Sequence, residues 1–239
     1  MHSSTYAQIL NLNKRMLQSD SAEWVGQISV FFSLIDQEVN IANMGYNIDV
    51  IKKFKNHSLM AISKLSFASS NKETLLNDGY AHVRATFNRK KRVGEEFFGQ
   101  VQYNAIRGLQ DRSLVGIGLR YVLFDRNNYG FVVGAALMQE WENWKYVDVI
   151  STTSLLKSSN YISLFANVNK QFNFNVISYY QATFINFVNP RISLEVNLNL
   201  NITEKLKFTS NFTLYYDKQP IIPIDNFIYT FKNGLGYQF

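Results

Sequence analysis

The sequence predicts an all-β protein, a closed antiparallel up-and-down transmembrane β-barrel of about twelve strands. Apolar and polar residues alternate strictly in many segments, several of which continue for about ten residues or more, the length that crosses a bilayer. Their polar faces consist of Asn, Ser, Thr, Gln and Gly, where a soluble surface would carry more Lys and Glu. The charged fraction is only 18%, and no run of about 18 apolar residues offers a membrane-spanning helix.

The clearest strand is 192–202, in which Ile192, Leu194, Val196, Leu198 and Leu200 alternate with polar residues and are expected to face lipid. A soluble β-sandwich also alternates, but its strands usually have about 5 or 6 residues; it remains the alternative fold. In chain order the predicted strands are 24–34, 42–51, 59–67, 80–87, 97–106, 114–124, 131–140, 161–168, 172–184, 192–202, 206–216 and 227–239.

The predicted connections alternate between tight basic turns and longer, more varied loops, which include 142–160 and 218–226. Barrels place short turns in the periplasm, so we expect both termini there and the protein in the bacterial outer membrane. The dipeptide Asn233-Gly234 competes as a hairpin signal. The tight turns are 52–58, 88–93, 124–130, 168–172 and 203–207.

The chain is interpreted as one membrane domain preceded by a short leader. Residues 1–7 are interpreted as a signal-peptide remnant, with an ordinary chain terminus as the alternative, 8–23 as an amino-terminal extension, and 24–239 as the barrel. The chain has no cysteine, so neither a disulfide framework nor a thiolate metal site is expected.

If the polar faces of the strands point inward, their side chains partly fill the lumen, and we expect a narrow or occluded pore. Bulky side chains such as Phe98 and Tyr179 are expected there. A hairpin centred between Asn56 and His57 would set Asp49 opposite Lys64 as a cross-strand ion pair; separate charges in luminal water are the alternative. The predicted lumen-facing charged cluster is Asp49, Lys64, His82, Arg84, Glu96, Arg120, Glu195 and Lys232.

Aromatic and apolar residues mark the mouth at the loop side. Trp141, Trp144 and Tyr146 are predicted to form an interface belt there. The apolar stretch 221–224 is predicted to pack against the barrel rim, with lipid or a partner protein as alternative contacts.

No catalytic residue, metal ligand or cofactor is predicted. His82 has no residue at metal-ligand spacing around it, and Gly116 and Gly118 lie inside a strand, where they are expected to relieve crowding. The net charge of +6 is attributed to basic turns, so no nucleic-acid partner is expected. A lipid-modifying enzyme remains an alternative, although no serine elbow accompanies His82.

The carboxy-terminal residues Phe231, Leu235, Tyr237 and Phe239 resemble the assembly signal of outer-membrane barrels, which implies recognition by the barrel assembly machinery. The runs 98–104, 112–121 and 216–239 resemble a family of salt-induced outer-membrane proteins of unknown function, and the likeness extends over 24–239. The resemblance implies an outer-membrane barrel and supplies no catalytic or binding residues.

The expected function is a narrow solute pore or a structural and interaction component of the outer membrane. The alternatives are a lipid-modifying enzyme and a soluble β-sandwich binding protein. The expected partners are outer-membrane lipid, the assembly machinery, and a partner protein at the extracellular loops.

Overall fold

The computed structural model describes residues 24–35, 41–70, 73–105, 107–126, 128–169 and 171–238. Residues 1–7 and 8–23, interpreted above as leader and extension, lie outside the described residues. The strands are β1 Trp24–Ile35, β2 Ile41–Lys53, β3 Ser58–Ser70, β4 Glu73–Thr86, β5 Val93–Asn104, β6 Leu109–Asp125, β7 Tyr129–Tyr146, β8 Val149–Asn167, β9 Phe172–Thr183, β10 Arg191–Asn201, β11 Leu206–Asp217 and β12 Phe227–Gln238.

One sheet closes on itself in chain order, so the predicted barrel is confirmed and the sandwich is wrong. Every strand pairs antiparallel with its neighbours, and the ring closes where β1 pairs with β12, from Gln27 opposite Gln238 to Phe31 opposite Gly234. The strand β12 runs through Asn233-Gly234 without a hairpin. Within the described residues, no helix is long and apolar enough to cross a membrane.

The period of two separates an apolar outer face from a polar inner one, as the strand β10 shows. Glu195 and Asn197 are buried inside the barrel, whereas Leu198 and Leu200 are exposed on its outside. Such an outer face suits lipid, because hydrocarbon offers no partners to polar groups. The clearest outer stripe belongs to β6 and consists of Val115, Ile117, Leu119, Tyr121 and Leu123.

The two ends of the barrel differ in their connections. The start of β1 and the end of β12 lie at one end of the barrel, which we call the turn end. The connections at this end are 54–57, 87–92, 126–128, 168–171 and 202–205. The loop end carries the other connections, including 184–190 and the predicted loop 218–226. That the turn end faces the periplasm stays a prediction.

The predicted loop 142–160 is wrong, because these residues belong to two long strands. β7 has 18 residues and β8 has 19, and a turn at 147–148 joins them, with Val147 at a φ of 54°. Polar residues lie on both faces here: Glu142 points inward and Asn143 lies on the outer face. Without an apolar face, the alternation gives no strand signal.

The predicted register of the hairpin β2–β3 is also wrong, by two residues. Asp49 lies opposite Ile62, and Lys64 lies opposite Asn47. A shift of two residues leaves every side chain on its predicted face, and both Asp49 and Lys64 are buried inside the barrel.

Candidate functional site: the barrel interior

The structure places the predicted charged residues inside the barrel without joining them into one cluster. Lys232 is partly buried, and the other predicted charges are 1–3% exposed: Asp49, Lys64, His82, Arg84, Glu96, Arg120 and Glu195. The pairs it brings together are Arg84 with Glu96, at 3.5 Å, and Lys64 with Glu195, at 3.9 Å. The ring of His82 stacks between Tyr80 and Phe98.

Near the loop end, six charged side chains form a continuous set of ion pairs that the sequence analysis did not identify. Glu140 is fully buried and accepts hydrogen bonds from Arg112, Lys157 and Arg191. Glu142 pairs with Arg112 at 3.1 Å and with Arg191 at 2.7 Å. We call these residues the loop-side network: Arg112, Glu140, Glu142, Lys157, Arg191 and Asp217.

Arg191 holds the loop-side network together across the interior. Its Nη1 lies 2.7 Å from Glu142 Oε1 and 3.2 Å from Glu140 Oε2, both on β7. Its Nε donates to Asp217 Oδ2 on β11, at 3.1 Å. Because β10 and β7 are not neighbours in the sheet, this guanidinium bridges separate parts of the wall and fills the space between them.

A second bridge crosses the middle of the barrel. Lys64 on β3 reaches Glu195 on β10, and these strands lie on different sides of the ring. Asn197 donates to Glu195 Oε1 at 2.7 Å, and Asn211 donates to the same oxygen at 3.1 Å. Two amides thus hold the carboxylate in place for the lysine.

Toward the turn end, arginines and tyrosines fill the interior. Arg84 pairs with Glu96 and lies 3.4 Å from the hydroxyl of Tyr179, on a strand that is not its neighbour. Tyr161 donates to Glu96 at 3.0 Å. The ring of Tyr161 occupies space that Gly134 leaves open, since a Cβ on Gly134 would lie 2.1 Å from Tyr161 Cε1.

Gly116 also leaves space that an aromatic ring fills, as its predicted role in relieving crowding requires. A Cβ there would lie 2.2 Å from the ring of Phe98. The close approach requires a residue without a side chain, so the predicted relief of crowding is confirmed at this position.

The loop 218–226 folds over the mouth at the loop end. Ile222 is 4% exposed and packs against Leu109 and Trp144, while Ile221 and Ile224 pack on the same cluster. The rim packing predicted for 221–224 is therefore confirmed. Trp144 is 3% exposed, so its prediction as an interface residue is wrong.

A cavity of about 10 Å³ lies between the loop-side network and Tyr179, and one water needs about that much. In the described part of the chain, no group of three His, Cys, Asp or Glu could hold a metal ion. The described interior is thus lined by polar and charged side chains together with aromatic rings.

The predicted assembly-signal residues lie on the outer face of β12. Phe231, Leu235 and Tyr237 are 62%, 54% and 48% exposed, and Phe239 lies outside the described residues. Recognition by the assembly machinery stays a prediction.

A protein family described as "Protein of unknown function, DUF481" matches residues 40–239. The sequence resemblance to salt-induced outer-membrane proteins goes further than this family match, and membership of that group stays a prediction. No curated protein matches the sequence.

The fold is similar to that of the NanC porin, with a TM-score of 0.53 and 8% identity over 89% of this chain and 98% of that one. An outer-membrane channel from Pseudomonas putida F1 has a TM-score of 0.49 at 8% identity, over 93% of this chain and 98% of that one. The KdgM porin, solved in complex with disordered oligogalacturonate, has a TM-score of 0.47 at 8% identity, over 90% and 99%. The likeness to NanC shows a porin-like outer-membrane β-barrel fold.

Proposed function

The chain belongs to the DUF481 family of proteins of unknown function, and we propose that it serves as a narrow outer-membrane channel for small polar solutes, closed in the conformation described here. The observation that carries the proposal is the polar, charged interior. A barrel that needed only mechanical stability would gain more from an apolar interior, because a buried ion pair is often no more stabilising than hydrophobic residues of the same volume.

The closure consists largely of side chains that can rotate away. Arg191 bridges β10 to β7 through hydrogen bonds to Glu140 and Glu142, and no strand would need to leave the wall for this bridge to open. The loop 218–226 covers the same mouth. Rotation of one guanidinium together with movement of this loop therefore opens the loop end. NanC is a porin, which supports the channel function by analogy of fold alone.

Recording from a planar bilayer tests the proposal, with wild type compared with Arg191→Gln. We expect rare openings of small conductance for wild type. The variant should open more often, because glutamine cannot reach Glu142 and Asp217 together. Lys145→Gln is the matched control, since it removes an exposed cation near the same end of the barrel.

Equal traces for Arg191→Gln and Lys145→Gln would contradict the closure mechanism. If folded wild type and Arg191→Gln both failed to conduct, the channel proposal would be wrong. Altered lipid composition after gene deletion, measured by mass spectrometry, would then favour a lipid-modifying enzyme. Unchanged lipids would favour a structural and interaction component.

A further inference from the structure

Arg120 is a buried cation whose hydrogen bonds are largely uncommitted. It is 1% exposed on the inner face of β6. Its Nη2 donates to the backbone carbonyl of Arg89 at 2.5 Å, but its Nε and Nη1 donate to no acceptor among the described residues. A buried guanidinium normally has acceptors for its N–H groups, because leaving them unsatisfied is costly.

Arg84 lies in the same part of the interior. The ring of Tyr161 covers Gly134, the β7 partner of Arg120, and the Arg84 guanidinium carbon lies 5.5 Å from the centre of that ring. Glu96 is already engaged by Arg84 and by the Tyr161 hydroxyl. Asp125, exposed at the end of β6, is a further carboxylate that interacts with Arg120.

Arg120 differs from the cations of the loop-side network in its partners. In the loop-side network, Arg112, Lys157 and Arg191 are matched by Glu140, Glu142 and Asp217. Glu96, a buried carboxylate on the strand next to Arg120, instead pairs with Arg84 at 3.5 Å. Among the described residues, the Arg89 carbonyl is the hydrogen-bond acceptor of the Arg120 guanidinium.

Two glycines flank Arg120 on the neighbouring strands. Its partners on the neighbouring strands are both glycines, Gly94 on β5 and Gly134 on β7. A Cβ on Gly94 would lie 3.0 Å from Arg120 Nε and 2.7 Å from the Phe87 carbonyl oxygen. The Arg120 side chain therefore packs over Gly94, and the ring of Tyr161 packs over Gly134.

We propose that Arg120, together with Arg84, forms an anion-binding site that makes the passage selective for small solutes bearing a carboxylate or phosphate group. A guanidinium matches such oxyanions with paired N–H donors. Arg120 supplies the free donors and Arg84 adds positive charge beside them. This inference rests on the channel function, because selectivity requires a solute to pass.

Reversal potentials in a KCl gradient test the selectivity, measured on Arg191→Gln as the more open background. We expect chloride to permeate better than potassium. Adding Arg120→Gln should lower the chloride-to-potassium ratio roughly threefold to tenfold, since a unit charge close to a narrow path strongly changes ion energies. Arg120→Lys should keep most of the selectivity. Arg126→Gln, at an exposed arginine of the turn end, is the matched control and should change the ratio little.

Thermal unfolding of the purified protein in detergent provides a second readout that needs no conductance. Inorganic phosphate should raise the midpoint above that in chloride at equal ionic strength, and Arg120→Gln should abolish this difference. Arg120→Lys should reduce it, because a lysine offers no paired donors.

The outcomes separate the two proposals. A conducting protein that prefers potassium, or that keeps its selectivity in Arg120→Gln, would overturn the anion site and leave the channel standing. A folded protein that never conducts but gains stability from phosphate through Arg120 would overturn the channel and keep the binding site. No phosphate effect together with no selectivity change would refute the site outright.

Discussion

Glu140→Gln is the sharpest test of whether the loop-side network is dry and stabilising. The carboxylate is fully buried and accepts from three cationic side chains, Arg112, Lys157 and Arg191. Glutamine has nearly the same shape but keeps a single acceptor oxygen and turns an NH₂ group toward cations. Removing one partner of a buried ion pair costs about 3–5 kcal/mol, and we expect a loss of about 3 kcal/mol in the free energy of unfolding.

The measurement is urea unfolding in phospholipid vesicles, followed by tryptophan fluorescence. Glu204→Gln, at an exposed glutamate in the turn 202–205, is the control and should change stability by less than about 0.5 kcal/mol. A double-mutant cycle with Lys157→Met should give a coupling energy of about 0.5–3 kcal/mol. A loss below about 1 kcal/mol for Glu140→Gln would refute the reasoning, because it would show that luminal water screens the pairs.

Further predictions concern ring closure, glycine packing and the mouth. Cysteines at Val30 and Leu235, which face each other between β1 and β12, should form a disulfide, seen as loss of thiol labelling relative to each single variant. Gly134→Ala should lower the free energy of unfolding by about 1–3 kcal/mol, since its Cβ would overlap an aromatic ring, whereas Gly99→Ala, with its nearest neighbour at 3.8 Å, should be tolerated. Ile222→Asp should detach the loop 218–226 and make it a site of rapid proteolysis; unchanged cleavage would contradict the lid.

Most of the fold is predictable from the sequence, because each strand residue of a barrel points either to the interior or to the outside. Val196 and Leu198 point outward and Glu195 and Asn197 inward for the same physical reason, namely the contrast between lipid and a polar interior. Where that contrast disappears, the prediction fails. Glu142 and Asn143 are both polar although they lie on opposite faces of a strand, and the sequence pattern predicts a loop there.

The pairing of side chains is harder to predict than their faces. The alternating pattern shows that Asp49 and Lys64 both point inward, but it does not show which residues lie opposite them. That register depends on the turn, in which the backbone N–H of Phe54 donates to the carbonyl of His57. The strands are therefore aligned two positions away from the predicted register. Contacts across the lumen are less predictable still. Arg191 and Glu140 are brought together by the curvature and stagger of the closed sheet, which no local sequence pattern records.

The loop-side network and Arg120 have different physical roles, and the partners of their charged groups show why. The loop-side network is neutral, so its groups satisfy one another and the closed state is stable without any ion. Arg120 instead has N–H groups without an acceptor among the described residues. An anion that reaches Arg120 satisfies these donors, whereas an anion near Glu140 is repelled and finds its cations already engaged. Anion binding at Arg120 therefore does not by itself open the loop end, so an Arg120 variant should alter which ions pass while an Arg191 variant should alter how often they pass.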